Sequence, residues 1–253
     1  MNYLVGDIGN TLTKFSLLNK KYKIIKTYNL DTKIITNKIQ LNIFLKKIIN
    51  SKIEKKILFS SVVPTAFKTL KKYFQKKNYK VFEIKELKLN KLINIKVDRV
   101  SQVGSDRIAN AIGSYYLYKK NNCLVIDFGT ATTFDVIKKP GIYDGGVIAP
   151  GINLSIKTLN KFTALLPILN LKKSIKIYGK NTKDALNAGF LWGYQGLINN
   201  IIKKIIKSSN RNYKVILTGG YSKLFSKYIY KKSIIDENIT IKGIVEIYKK
   251  LLI

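Results

Sequence analysis

Short apolar runs and helically spaced apolar residues alternate along this chain. Residues 2–8, 13–18 and 22–28 read as three strands. Phe15-Ser16-Leu17-Leu18, the Asn19-Lys20 turn and Ile24-Ile25 suit an antiparallel meander. Residues 37–50 carry Ile39, Ile43, Phe44 and Ile48 at helical spacing, which predicts a helix. Ile57-Leu58-Phe59-Ser60 is a short strand. A helix over about 64–77 follows, with Pro64 in its first turn and Ala66, Phe67, Leu70 and Phe74 inward. Further strands are expected at 80–84 and 92–97. A meander followed by alternating helices and strands describes an α/β domain over about 1–100.

The second half repeats the plan. Residues 106–119 predict a helix, 122–127 and 131–137 two strands around Gly129, and 143–148 a third. A helix is expected at 152–163, an irregular stretch at 168–180, and a long helix at 182–207 that begins at Thr182 with Asp184 in its first turn. Gly189, Gly193 and Gly196 inside that helix predict a close neighbouring helix, from this chain or from a second copy. Residues 213–217 form a strand ending in Thr218-Gly219-Gly220. The repetition places two domains at 1–110 and 111–253.

The candidate chemistry sits where strands end. Asp7-Ile8-Gly9-Asn10-Thr11 and Asp127-Phe128-Gly129-Thr130-Ala131-Thr132-Thr133 share one form: strand, Asp-x-Gly, then small hydroxyl or amide residues. Such an Asp can hold a metal or its water shell, the Gly admits close backbone approach, and the following N–H and O–H groups can donate to phosphate. Either turn alone reads as ordinary; the pair favours phosphate. In Gly104-Ser105-Asp106-Arg107, Ser105 or Asp106 can cap the next helix, and spacing favours that role. The sharper alternative makes Asp106 a base and Arg107 an anion holder. Gly145-Gly146 and Pro150-Gly151 imply backbone held close to a ligand or to the other half. Gly219-Gly220 could underlie an adenine or ribose, or form a tight turn.

Composition narrows the chemistry further. The chain of 253 residues contains no histidine, so serine–histidine catalysis and histidine metal ligation are excluded. A general base must come from the 14 Asp and Glu residues, and Asp7, Asp106, Asp127 and Asp144 each lie within two positions of a glycine. The single cysteine, Cys123, excludes an internal disulfide and reads as core packing in a cytoplasmic protein. No apolar run is long enough to span a bilayer, and the N-terminus lacks the basic start of a signal peptide. The net charge of +33 would suit an anionic partner. The excess is lysine spread over the whole chain, so it reads as a shifted surface composition rather than a nucleic-acid site.

The ordered set of Asp7-Ile8-Gly9-Asn10-Thr11, Gly104-Ser105-Asp106-Arg107, Asp127-Phe128-Gly129-Thr130, Gly145-Gly146-x-x-x-Pro150-Gly151, Thr163-Ala164-x-Leu166-Pro167 and Thr218-Gly219-Gly220 resembles the type III pantothenate kinase family. The resemblance covers nearly the whole chain. It implies two ribonuclease-H-like domains with mixed sheets flanked by helices, in the superfamily of actin, sugar and acetate kinases and chaperone ATPases, with a nucleotide cleft between them. It implies ATP-dependent phosphorylation of pantothenate to 4'-phosphopantothenate, the first step of coenzyme A synthesis, by a cytoplasmic homodimer. No membrane or specific nucleic-acid partner is implied.

Residue by residue, the resemblance makes Asp7 to Lys14 (Asp7, Ile8, Gly9, Asn10, Thr11, Leu12, Thr13 and Lys14) the ATP phosphate loop, with Asp7 on the magnesium side. Asp106 matches the family's proton acceptor and Gly104, Ser105, Asp106 and Arg107 its pantothenate site. Asp127 matches the ligand of a monovalent cation (K+ or NH4+), Thr130 an ATP contact, and Thr182 a substrate-contacting threonine. Val97 stands where many members carry a pantothenate-contacting tyrosine. Two rival readings keep the fold: a regulatory accessory factor that has lost the reaction, and a kinase for another small alcohol.

Overall fold

The computed structural model describes residues 2–49, 53–173 and 176–253. These divide into two compact units: 1–119 with 140–143 and 238–253, and 120–139 with 144–237.

The first unit opens with β1 (Asn2–Ile8), β2 (Leu12–Leu18) and β3 (Ile24–Asp31), an antiparallel meander as the alternation predicts. Helix α1 (Lys38–Lys46), β4 (Ile53–Ser61), α2 (Pro64–Gln75) and β5 (Lys80–Glu83) follow. The sheet order is β3-β2-β1-β4-β5, with β4 parallel to β1 and β5 parallel to β4. A mixed sheet of this kind needs a crossover helix, and α2 supplies it. Leu70 and Phe74 of α2 are fully buried, and the Phe74 ring lies 6.2 Å from that of Phe59 on β4. Of the 92–97 stretch only Asn94–Ile95 is strand, β6. Helix α3 (Ser105–Leu117) completes this run.

In α1, Leu41 and Leu45 are buried and Phe44 packs against the same core, while Ile39 and Ile43 are 75% and 56% exposed. The Asn37 cap sets the start of the helix at Lys38, and the phase of the helix turns Leu41 and Leu45 onto the sheet. One expectation changes here: a split at 110/111 would cut through α3. Helix α3 is buried from Ile108 to Ser114, and the C-terminal helix, Ile239–Leu251, packs along it. The two approach through glycines: a β-carbon at Gly243 would strike the Ala109 carbonyl, and one at Gly113 would come 2.5 Å from the Ile239 carbonyl. Thr240 Oγ1 donates to Asn110 Oδ1 at 2.7 Å inside the contact. The last element of the chain thus belongs to the first unit.

The second unit holds β7 (Cys123–Phe128), β8 (Ala131–Lys138), β9 (Ile142–Pro150, entering the unit at Asp144), α4 (Ile152–Lys161) and α5 (Thr182–Ser209). Then come β10 (Lys214–Gly219), the short α6 (Ser222–Phe225) and β11 (Ser233–Ile235). Its strand order, β9-β8-β7-β10-β11, repeats the order of the first sheet. Pairing is antiparallel for β7 with β8 and parallel for β10 with both β7 and β11. Central β7 is buried along Cys123–Ile126, which accounts for its continuous apolar run. Two mixed sheets flanked by helices, with one strand order used twice, make the α/β fold that the duplicated pattern predicts.

Helix α5 begins at Thr182 as expected. Its N-cap is Asn181, whose side chain accepts from Asp184 N–H at 2.9 Å. Gly189, Gly193 and Gly196 are exposed and face open space, so among the described residues no helix packs there. Among the described residues, no helix is long and apolar enough to cross a membrane.

Candidate active site

In the first unit, β1 and β2 carry the first Asp-x-Gly turn. Asp7 pairs directly with Lys14 across the antiparallel ladder, so their side chains leave the same face of the sheet. Gly9 N–H donates to Leu12 O at 3.1 Å and closes the turn. Thr32 tethers it from below: its hydroxyl donates to Gly9 O at 2.7 Å and lies 2.9 Å from Thr13 Oγ1, while its N–H donates to Thr11 O at 3.0 Å. Asn10, Thr11 and Leu12 are exposed, whereas Ile8 and Thr13 are fully buried. Phosphate can therefore be met by the side chains of Asn10, Thr11 and Lys14 and by loop N–H groups, with the Asp7 carboxylate suited only to a cation that phosphate shares, while Ile8 and Thr13 hold the loop down. Thr32 has no motif around it and was not legible as a support.

The second element of this unit is the start of α3. Gly104 is the N-cap residue and no side chain caps the helix, so neither Ser105 nor Asp106 takes the capping role that spacing favoured. Asp106 Oδ1 curls back to accept from Arg107 N–H at 2.8 Å, over a Gly104 whose added β-carbon would lie 2.5 Å from it. Burial pushes the Asp106 carboxyl above its ordinary value, against the opposing pull of the Arg107 N–H and guanidinium and the Lys85 ammonium. The Arg107 guanidinium lies 6.0 Å from the Tyr143 ring centroid. Ser105 is buried at 1% exposure, and Val97 is half-buried in a bend after β6. Beside this segment is a cavity of about 580 Å³ lined by Lys85, Leu89, Ile95, Val100, Ser101 and Ile108. That volume suits a small molecule.

In the second unit, Gly129 and Thr130 link β7 to β8, with Gly129 N–H donating to Ala131 O at 3.1 Å. Parallel β10 brings Thr218 beside Asp127 and Gly219 beside Phe128. Gly219 has φ +82°, and a β-carbon on it would come 2.6 Å from Asp127 Oδ1. On the other side, Gly151 is pressed onto the Gly129 and Thr130 carbonyls so closely that any β-carbon would collide. The close approach expected of Pro150-Gly151 is therefore to the Thr130 turn of its own unit, and Gly220 faces open space. Both Asp127 Oδ1 and the Phe128 carbonyl lie against Gly219, oxygen atoms of the kind that hard cations take as ligands. Thr130 is exposed beside it, and Thr182 is exposed at the first position of α5. Among the described residues no cluster of three or more carboxylate, histidine or cysteine groups could cage a metal. A magnesium ion here fits only the mode in which one carboxylate, water and substrate phosphates share it.

A family model described as type III pantothenate kinase matches residues 3–204. The chain belongs to the type III pantothenate kinase family. A type III pantothenate kinase of Pelagibacter ubique is 48% identical over 248 residues, covering 96% of each chain. One of Desulfosudis oleivorans is 33% identical over 247 residues, covering 95% of this chain and 96% of the relative. Among solved structures, a putative Baf family transcriptional activator from Campylobacter jejuni aligns with TM-score 0.63 at 22% identity over 98% of both chains. A putative N-acetylmannosamine kinase from Listeria monocytogenes aligns with TM-score 0.57 at 13% identity over 99% of both. At these identities the structural matches establish the fold alone. They agree with the two mixed sheets of a kinase family whose reaction uses ATP.

Proposed function

We propose that this chain phosphorylates pantothenate with ATP to give 4'-phosphopantothenate, with Asp106 as general base. The observation that carries this reading is the Asp106 carboxyl, raised by burial and held at the first turn of α3 beside Arg107. A carboxylate with a raised pKa takes a proton more readily than a free one, which is what attack by a substrate hydroxyl requires. Phosphoryl transfer asks for little beyond this: an in-line hydroxyl, neutralised phosphate charge and a proton acceptor. Lys14, the loop N–H groups and Arg107 supply fixed positive charge, and Gly104 to Arg107 with Val97 receive the substrate. Asp7 would hold magnesium through water or phosphate, and Asp127 a potassium or ammonium ion with Thr130 on ATP. Bound cations would offset charge on the phosphates. A cytoplasmic location is the reading that a requirement for ATP supports.

The exposed glycine face of α5, where no described residue comes within 4 Å of an added β-carbon, supports a homodimer in which that face is covered and Thr182 at the head of the same helix completes the substrate site. A coupled assay with ATP, magnesium and pantothenate, with and without potassium or ammonium, tests the activity. Pantothenate-dependent ADP release is the expected result. Nucleotide binding without turnover under every cation would favour the accessory-factor reading, and turnover with a different alcohol the alternative kinase.

A further inference from the structure

The carboxylate of Glu83 gathers separate segments of the first unit at the foot of α3. Glu83 ends β5 and is half-buried. Its Oε1 accepts from Ser61 N–H at 3.3 Å, at the end of β4, and its Oε2 from Lys85 N–H at 2.7 Å. Its own N–H donates to Glu86 at 3.2 Å, and Glu86 holds Lys71 of α2 at 2.8 Å. The Lys85 ammonium reaches across to the Ser101 carbonyl at 3.2 Å, just ahead of α3. Ser105, the first residue of α3, is 1% exposed, and its hydroxyl makes no full hydrogen bond. It stands close enough to Glu83 to favour the ionised carboxylate.

A capping turn over 84–86 would need only the Lys85 and Glu86 bonds. It does not explain why a buried carboxylate, raised by that burial, also faces Ser61 and the Ser105 hydroxyl. A buried polar group without a full partner is costly, and catalytic hydrogen bonds tend to be loose before substrate is bound. Ser105 immediately precedes Asp106, so whatever fixes its position fixes where the base is presented.

We propose that Glu83 is a positioning residue for phosphoryl transfer: through Ser105 it seats the first turn of α3, and the Ser105–Glu83 hydrogen bond closes when substrate is bound. This rests on Asp106 acting as the base. Glu83 touches no reacting atom; it acts by holding Asp106 and Arg107 where the substrate hydroxyl arrives. A misplacement on the order of 1 Å can cost about 100-fold in rate.

The test compares Ser105→Ala, Glu83→Gln, Asp106→Asn and the double variant Ser105→Ala/Asp106→Asn. The measurements are kcat, KM for ATP and for pantothenate, and the melting temperature of each. Ser105→Ala and Glu83→Gln are expected to lower kcat by roughly 10–100-fold while KM for ATP stays within about twofold. The double variant is expected to be no slower than Asp106→Asn alone, because both changes act on one step. Wild-type kcat in folded Ser105→Ala and Glu83→Gln would overturn the proposal. So would multiplying losses in the double variant, which would place the effect elsewhere. Near-wild-type turnover in Asp106→Asn alone would remove the base assignment and the positioning role with it, and that single variant identifies this cause.

Discussion

Gly219 lies against the carboxylate of Asp127, with space for a hydrogen atom and no more: a β-carbon would sit 2.6 Å from Oδ1 and 2.6 Å from the Phe128 carbonyl. Its φ of +82° adds a backbone penalty for any other residue. Gly219→Ala is therefore expected to displace Asp127 and to cost about 1–3 kcal/mol of stability. Its activity should also lose sensitivity to potassium or ammonium. Thermal unfolding and a cation titration of turnover check both effects, and an unaltered cation response would detach Asp127 from that role.

The raised carboxyl of Asp106 has consequences for both turnover and stability. Turnover needs the ionised form, so kcat is expected to fall with decreasing pH at a point above the range of an ordinary aspartate. Stability runs the opposite way. Burial penalises the charged form in the folded state, so the folded protein holds its proton to higher pH than the unfolded chain. The penalty is absent below the ordinary aspartate range of about 4, grows between that value and the raised one, and is fully present above it. Asp106→Asn should then melt higher than the wild type at neutral pH, with the gap closing on acidification, while ATP binding is retained and turnover falls by roughly 100-fold or more. Melting curves across pH, run beside the assay, would expose an error in either half.

Thr32 is the support beneath the first phosphate loop. Thr32→Val removes the hydroxyl that bonds Gly9 O and Thr13 Oγ1 and keeps the shape. The loss leaves the half-buried Gly9 carbonyl and the buried Thr13 hydroxyl short of a partner, at a cost of about 1–3 kcal/mol. KM for ATP is expected to rise while KM for pantothenate holds, because the proposed function gives this loop to the nucleotide alone. A rise confined to pantothenate would contradict the assignment of this loop.

The open face of α5 makes the dimer testable without touching the fold. A β-carbon added at Gly193 has no described atom within 4 Å, and the position is exposed. Gly193→Arg should keep the wild-type melting transition as a monomer at low concentration and shift light scattering from a dimer mass to that of one 28.9 kDa chain. An unchanged dimer in this variant would move the interface off the glycine face.

The strand meanders, the crossover helix α2 and the start of α5 at Thr182 were all readable. Each rests on local signals: alternation, a first-turn proline, an Asn cap ahead of an acidic first turn. Which face of α1 turns inward is not legible locally, because apolar residues occupy both sides and the tertiary partner selects Leu41 and Leu45 over Ile39 and Ile43. The domain division slipped because the contact of α3 with the C-terminal helix joins residues more than a hundred positions apart, as Thr240 with Asn110 shows. At the site, the motif residues announce themselves through Asp-x-Gly spacing. Thr32, Glu83 and Lys85 do not, because their significance lies in what they hold, and their neighbours become known only once β3, β5 and α3 are placed.

The return of the C-terminal helix to the first unit also sets an order of events during synthesis. Helix α3 leaves the ribosome more than a hundred residues before Ile239–Leu251, the helix that covers Ala109 and Gly113. Until it emerges, the first unit carries an uncovered apolar strip while most of the second unit is already complete. A stop codon a few residues upstream of Asn238 would therefore do more harm to the nascent first unit than to the unit in which it falls nearest.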